Sequence, residues 1–247
     1  MTSVAPLRLV IADSRAASRQ AARLLADELA SSQPVLGVAT GSSVELVYEE
    51  LAALVSADPV LRSGIGRAQG FALDEYVGLP AGDPNSYLAT LERQLAIPAG
   101  LPLDHLHVPA ASLADDPGRY DEQISAAGGV AVQLLGIGGN GHIGFNEPGS
   151  PLDAGTRLIT LDERTRQDNA RFFASAAQVP TQAVTQGIGT ILRARRIVLL
   201  AFGGQKAKAL AAALTGPVTP QLPASALQHH PDVIVFADPD AASLLPG

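Results

Sequence analysis

Residues 130–149 read VAVQLLGIGGNGHIGFNEPG, an apolar run that passes directly into a glycine-rich loop. The run suits a buried strand, and Gly136–Gly141 has the G-x-G-x-x-G spacing of a dinucleotide-binding turn. Such a turn needs its last glycine to open a helix that carries a pyrophosphate at its N-terminus. Gly144, Pro148, Gly149 and Pro151 follow too soon to leave room for that helix. Asp162 lies near the spacing of a ribose-binding acid, but it directly follows TRLITL and reads as the cap of the next helix. The stretch therefore predicts a strand and a ligand loop without a nicotinamide site. Five glycines among residues 136–144 let the backbone crowd a ligand, and His142 with Glu147 offers an acid/base pair. Histidine exchanges protons near neutral pH, and a nearby carboxylate orients it and favours its charged form.

Outward from this stretch, apolar β-rich runs alternate with helical periodicity. Strands are predicted near 8–12, 34–39, 68–73, 105–108, 130–137, 156–161, 195–202 and 232–237. Helices are predicted near 14–30, 43–56, 85–96, 117–127, 162–173, 181–193 and 204–214. This alternation predicts an α/β fold, a mainly parallel sheet with helices on both faces, in which ligands bind beyond the carboxyl ends of the strands. The 247 residues suffice for one domain with a substantial core, and no repeat or proline-rich linker divides them. A hydrophobic share of 47% against 17% charged residues argues against disorder. The absence of cysteine excludes disulfides, zinc-cysteine sites and thiolate catalysis. A net charge of −7 argues against a nucleic-acid or anionic-membrane surface. With no signal-like or membrane-spanning apolar segment, a cytoplasmic protein is expected.

Three further loops carry chemistry. Thr40-Gly41-Ser42-Ser43 lies between a strand and a helix, where glycine, hydroxyls and free helix N–H groups suit an anion or a simple N-cap; it lacks the spacing and lysine of a P-loop. At Asp74-Glu75 a strand runs into two adjacent carboxylates, whose alternating directions predict that one enters a site as a general base while the other is structural or solvent-facing. Arg166 and Lys206 offer cations suited to phosphate, the latter at another strand-to-helix turn, although each alone reads as a surface charge. His105, His107, His229 and His230 read as structural.

From about Leu36 to Asp238, the motifs ATGSSVELVYEEL, FALDEYVGLPAGDPNSY, NGHIGFNEPGSPLDAG, TRQDNARFF, VPTQAVTQGIGTIL and GGQKAKAL, in this order, resemble the glucosamine-6-phosphate deaminase (isomerase) family. The resemblance implies a Rossmann-like α/β/α fold without a dinucleotide, and no redox cofactor or metal. It implies conversion of glucosamine 6-phosphate and water to fructose 6-phosphate and ammonia. Asp74 would then be the base that removes the C2 proton and His142 the ring-opening acid/base oriented by Glu147. Thr40, Gly41, Ser42, Ser43, Arg166 and Lys206 would hold the phosphate.

Two departures from the family pattern qualify this. Many members carry aspartate where this chain has Asn140, which can orient but cannot carry charge. Because Asp74, His142 and Glu147 are all present, an active enzyme is expected. Larger hexameric members bind N-acetylglucosamine 6-phosphate through an Arg and a Lys in the stretch that here reads Thr156-Arg157-Leu158-Ile159, plus a C-terminal extension. Arg157 is kept, Ile159 stands in place of the lysine, and the chain ends soon after Asp238. A non-allosteric enzyme, monomeric or of low oligomeric order, is expected. The alternatives are a galactosamine-6-phosphate isomerase or deaminase, a 6-phosphogluconolactonase, and a non-catalytic sugar-phosphate sensor.

Overall fold

A computed structural model describes residues 7–109, 115–170, 173 and 175–246. Its elements are β1 (Arg8–Ile11), α1 (Ser14–Leu29), β2 (Val35–Val38), α2 (Ser42–Ala57), α3 (Pro59–Ile65), β3 (Gln69–Ala72), β4 (Asp74–Val77), α4 (Tyr87–Leu91), α5 (Ile97–Ala99), β5 (Leu106–His107), α6 (Gly118–Ala126), β6 (Val132–Gly136), β7 (Arg157–Thr160), α7 (Glu163–Asn169), β8 (Gln182–Thr185), α8 (Ile188–Ile191), β9 (Arg196–Ala201), α9 (Ala207–Thr215) and β10 (Val233–Ala237). A π-helical turn, Glu92–Ala96, joins α4 to α5.

Seven strands form a parallel sheet in the order β1-β10-β9-β6-β2-β3-β5. Parallel neighbours need crossovers, which the alternating helices supply. The inner strands β2, β9 and β10 are buried almost throughout, as expected of strands covered on both faces, whereas edge strand β1 exposes Leu9 and Ile11. From β2 the chain proceeds towards β3, and from neighbouring β6 towards β9 on the other side. This divergence opens a crevice beyond the carboxyl ends of β2 and β6, the place where such sheets bind ligands.

A second sheet was not foreseen: β4-β8-β7, antiparallel throughout. The strand predicted near 68–73 was expected to run into the carboxylate pair; DEYV (74–77) is itself a strand, β4, separated from β3 by Leu73 alone. The helix predicted over 181–193 is instead β8 followed by the short α8. Val184 and Thr185 are β-branched and pair with both β4 and β7, so cross-strand contacts override local helical periodicity. Gly187, between the two elements, and Gly189, within α8, run so close to the backbone carbonyls of Ala154 and Asp153 that an added Cβ would lie 2.1 and 2.5 Å from them. The helix predicted near 162–173 is observed as α7; Arg171 and Phe172, in the last letters of TRQDNARFF, lie outside the described residues.

Candidate active site

A cavity of about 700 Å³ opens over the crevice, a size that accommodates a small ligand. Thr40, Gly41, Ser42, Ser43, Asp74, His142 and Lys206 all line it. The hydroxyl loop leaves β2 and enters α2 with Gly41 at φ 117° and ψ 161°, left-handed backbone that favours glycine. Ser42 and Ser43 open the sixteen-residue α2, so their N–H groups and hydroxyls face the positive end of a long helix. Lys206 ends the turn Gly204–Lys206 that follows β9.

The two carboxylates that open β4 divide as the alternation of strand side chains requires. Asp74 is 7% exposed and turned to the cavity. Burial pushes its carboxyl up to about 8, the neighbouring charge of Glu75 adds to this, and the Phe145 N–H offsets part of it. Glu75 is turned away from the cavity. Its Oε1 accepts from the N–H groups of Tyr76 and Tyr87 at 2.8 and 3.0 Å, and its Oε2 from Leu88 at 2.8 Å. Glu75 therefore satisfies the free N-terminal donors of α4 and ties that helix to the small sheet.

The glycine loop brings His142 and Glu147 together. His142 Nδ1 lies 3.2 Å from Glu147 Oε1, without the alignment of a hydrogen bond, and the contact is an ion pair when the imidazole is protonated. Asn140 Nδ2 donates to Glu147 Oε2 at 2.6 Å, and Thr165 Oγ1 to Glu147 Oε1 at 2.7 Å. Asn140 Oδ1 also accepts from the His142 N–H at 3.1 Å. Burial would raise the Glu147 carboxyl, but His142, Thr165 and Asn140 together outweigh it and hold the group down at about 2. Gly138 makes space for the imidazole: a Cβ there would lie 2.5 Å from the His142 ring.

One fully buried side chain fixes the loop between His142 and Glu147. Asn146 Nδ2 donates to the carbonyls of Ile143 at 2.9 Å and Gln186 at 2.8 Å, while its Oδ1 accepts from Arg157 Nη1 at 2.7 Å. Gln186 in turn donates through Nε2 to the Ala72 carbonyl at 2.9 Å, just before Asp74. The chain entering Asp74 and the loop carrying His142 and Glu147 are thus tied together by buried side-chain amides. Arg157 also donates to Ser150 Oγ at 3.1 Å, so its guanidinium serves the protein's own loop.

Arg166 is directed differently from the expectation. Helix α7 presents Thr165 and Asn169, one turn apart, to the cavity, and Arg166 lies about 100° around the helix from Thr165. Its Nη2 donates to the Val179 carbonyl at 3.3 Å, its Nε is buried without a hydrogen-bond partner, and it does not line the cavity. The remaining histidines stand apart from the cavity: His107 stacks on Phe71, and His105 and His230 contact the carbonyls of Ala68 and Ala194. Among the described residues no group of three His, Asp or Glu side chains could hold a metal ion, and no helix is long and apolar enough to cross a membrane.

Sequence reading missed Thr165, Asn146 and Gln186. The first stands in a charged helical stretch and the others among ordinary polar residues, so only the folded arrangement distinguishes them. An aromatic wall was missed too: Tyr76 packs against Tyr87, Phe145 and Phe173, with ring centroids 4.8–5.8 Å apart, and all four rings line the cavity. Asn169 Nδ2 donates to Tyr76 Oη at 2.9 Å, linking this wall to α7.

The family model of glucosamine-6-phosphate isomerases/6-phosphogluconolactonase matches residues 12–235. A protein named glucosamine-6-phosphate deaminase from Cutibacterium acnes is 49% identical over 242 residues, which span 96% of this chain and 91% of that protein. The solved structure of a monomeric glucosamine-6-phosphate deaminase is 39% identical with a TM-score of 0.89, over 96% of this chain and 100% of the other. A 6-phosphogluconolactonase from Trypanosoma cruzi, 19% identical with a TM-score of 0.75 over 100% of this chain and 99% of its own, shares the fold. By its sequence over most of its length, the chain belongs to the glucosamine-6-phosphate isomerase/6-phosphogluconolactonase family.

Proposed function

We propose that the protein is a glucosamine-6-phosphate deaminase, converting glucosamine 6-phosphate and water to fructose 6-phosphate and ammonia. The observation that carries this reading is the meeting of a buried acid, Asp74, a carboxylate-backed imidazole, His142, and a hydroxyl loop with Lys206 around one cavity. The names of the relatives at 49% and 39% identity support it.

In this reading the phosphate sits on Thr40, Gly41, Ser42, Ser43 and Lys206, placing the sugar carbons towards Asp74 and His142. Protonated His142 donates to the ring oxygen as the C1 hydroxyl gives up its proton, opening the ring to an aldehyde. Glu147, ionised and held by Asn140 and Thr165, stabilises the imidazolium. Ionised Asp74 removes the C2 proton and returns it to C1 while the substrate ammonium passes one proton to the C1 oxygen, giving the protonated C2 imine of the ketose. Water adds at C2, and the C2–N bond breaks with release of ammonia. Arg166 does not line the cavity here, so of the six expected residues this reading keeps the other five for the phosphate.

Residues 1–247 are read as one such domain, working in the cytoplasm as a monomer or low-order oligomer. Ile159 offers no donor and Arg157 is engaged with Asn146 and Ser150, which supports an enzyme without the N-acetylglucosamine 6-phosphate response. The test is release of ammonia and fructose 6-phosphate from glucosamine 6-phosphate, assayed beside galactosamine 6-phosphate and 6-phosphogluconolactone. Turnover of the first alone is expected. Thermal stabilisation by glucosamine 6-phosphate with no ammonia released would overturn the enzyme reading in favour of a sensor.

A further inference from the structure

The hydroxyl loop is held from beneath by a side chain that does not line the cavity. At the carboxyl end of β2 the last paired residue is Val38, and Ala39 carries the chain out of the sheet while still only 3% exposed. Both of its main-chain groups meet one hydroxyl. Tyr48 Oη accepts from the Ala39 N–H at 3.0 Å and donates to the Ala39 carbonyl at 2.7 Å. Tyr48 lies two turns into α2 and is fully buried. The main chain from Ala39 to Tyr48, closed by this side chain, forms a ring that contains Thr40, Gly41, Ser42 and Ser43. An added Cβ at Gly41 would meet nothing within 4 Å, so the glycine there serves conformation and not space. Ring closure and the left-handed glycine together leave the loop few alternative paths.

We infer that Tyr48 is a positioning residue for phosphate recognition: its hydroxyl fixes the start of the loop against α2, so that Thr40–Ser43 receive the phosphate already in place. The inference rests on reading this loop as the phosphate site. Apolar packing alone does not call for the oxygen, since phenylalanine has nearly the same volume. Burial raises the phenol's pKa, so the hydroxyl stays protonated and can both donate and accept. An unpaired buried N–H and C=O would be left behind by its removal, and a loop that relieves them by shifting would bind anions less well.

The test is Tyr48→Phe. KM for glucosamine 6-phosphate should rise about 5- to 30-fold, with kcat changed less than about twofold, and the inhibition constant of inorganic phosphate should rise by the same factor as KM. A lower melting temperature with KM and the phosphate constant unchanged would overturn the inference, since a merely structural hydroxyl would behave so. Lys206→Met separates the two readings. If it moves neither constant, the phosphate site itself is misassigned; if it moves both and Tyr48→Phe neither, only the role of Tyr48 falls. Should Tyr48→Phe not fold, amide exchange in the unaltered protein decides: saturating phosphate should slow exchange at Ala39 severalfold, and no change there would overturn the inference.

Discussion

Asp74 and Glu147 serve the same proposed reaction from opposite electrostatic situations. Asp74 is buried beside a second carboxylate and is pushed up to about 8; Glu147, only half-buried, collects His142, Thr165 and Asn140 and is held at about 2. Two side chains of nearly equal intrinsic acidity are thus separated by their neighbours, which lets one take up a proton while the other stays a fixed charge. In the strand end that carries Asp74, charge is costly. In the glycine loop that carries Glu147, charge is already solvated by protein donors.

Asp74→Asn tests the contrast most severely. Turnover should fall by about 10²–10⁴-fold, measured as ammonia release. The folded-state pKa of Asp74 is raised from 3.8, so its contribution to stability is full below about 4 and is lost as pH rises through about 8. The asparagine variant escapes that loss. Its melting temperature relative to the parent should therefore climb between pH 5 and pH 8; a constant difference would contradict the burial of a charge.

The second test is the pH profile of kcat/KM, which reports the free enzyme. Activity should rise with pH, about tenfold per unit below an apparent pKa near 8, as Asp74 ionises. Glu147, already ionised above about 2, should add no limb in this range. A profile flat from pH 6 to 9 would remove Asp74 from the role of base.

Glu147→Gln comes next, with kcat lower by about 10- to 100-fold and KM nearly unchanged. Because its folded pKa is lowered from 4.5, Glu147 stabilises the protein above about 4.5 and loses that contribution as pH falls towards 2. The difference in melting temperature between parent and variant should therefore shrink in acid. Thr165→Val, which removes one of the two side-chain hydrogen bonds to Glu147, should have the smallest effect, roughly 3- to 10-fold in kcat. An effect as large as that of Glu147→Gln would mean that Thr165 touches the substrate itself.

How legible these two regions were in the sequence differs for a physical reason. The glycine loop declares itself over fourteen residues, because breakers, histidine and glutamate lie close together and exclude a dinucleotide helix on local grounds. The large sheet was equally readable, since all seven of its strands fall on predicted apolar runs set among helical periods. The small sheet was not: β4 pairs with β8 more than a hundred residues away, and VPTQAVTQGIGTIL has a local pattern that suits a helix until its partners are present. Arg166 shows the same limit at the level of one side chain. Its charge suits an anion, yet the register of α7 turns Thr165 and Asn169 to the cavity instead.

Leu73 is the single residue between β3 of the parallel sheet and β4 of the antiparallel one, with its N–H on the Val38 carbonyl and its own carbonyl receiving the Gln186 N–H at 2.7 Å. Asp74 therefore stands at a seam. A sliding of one sheet past the other would displace this carboxylate, and in catalysis an error of about 1 Å can cost a hundredfold in rate. The buried amides of Asn146 and Gln186 act as stitches across the seam. Redesign for altered substrates should accordingly leave this stitching intact.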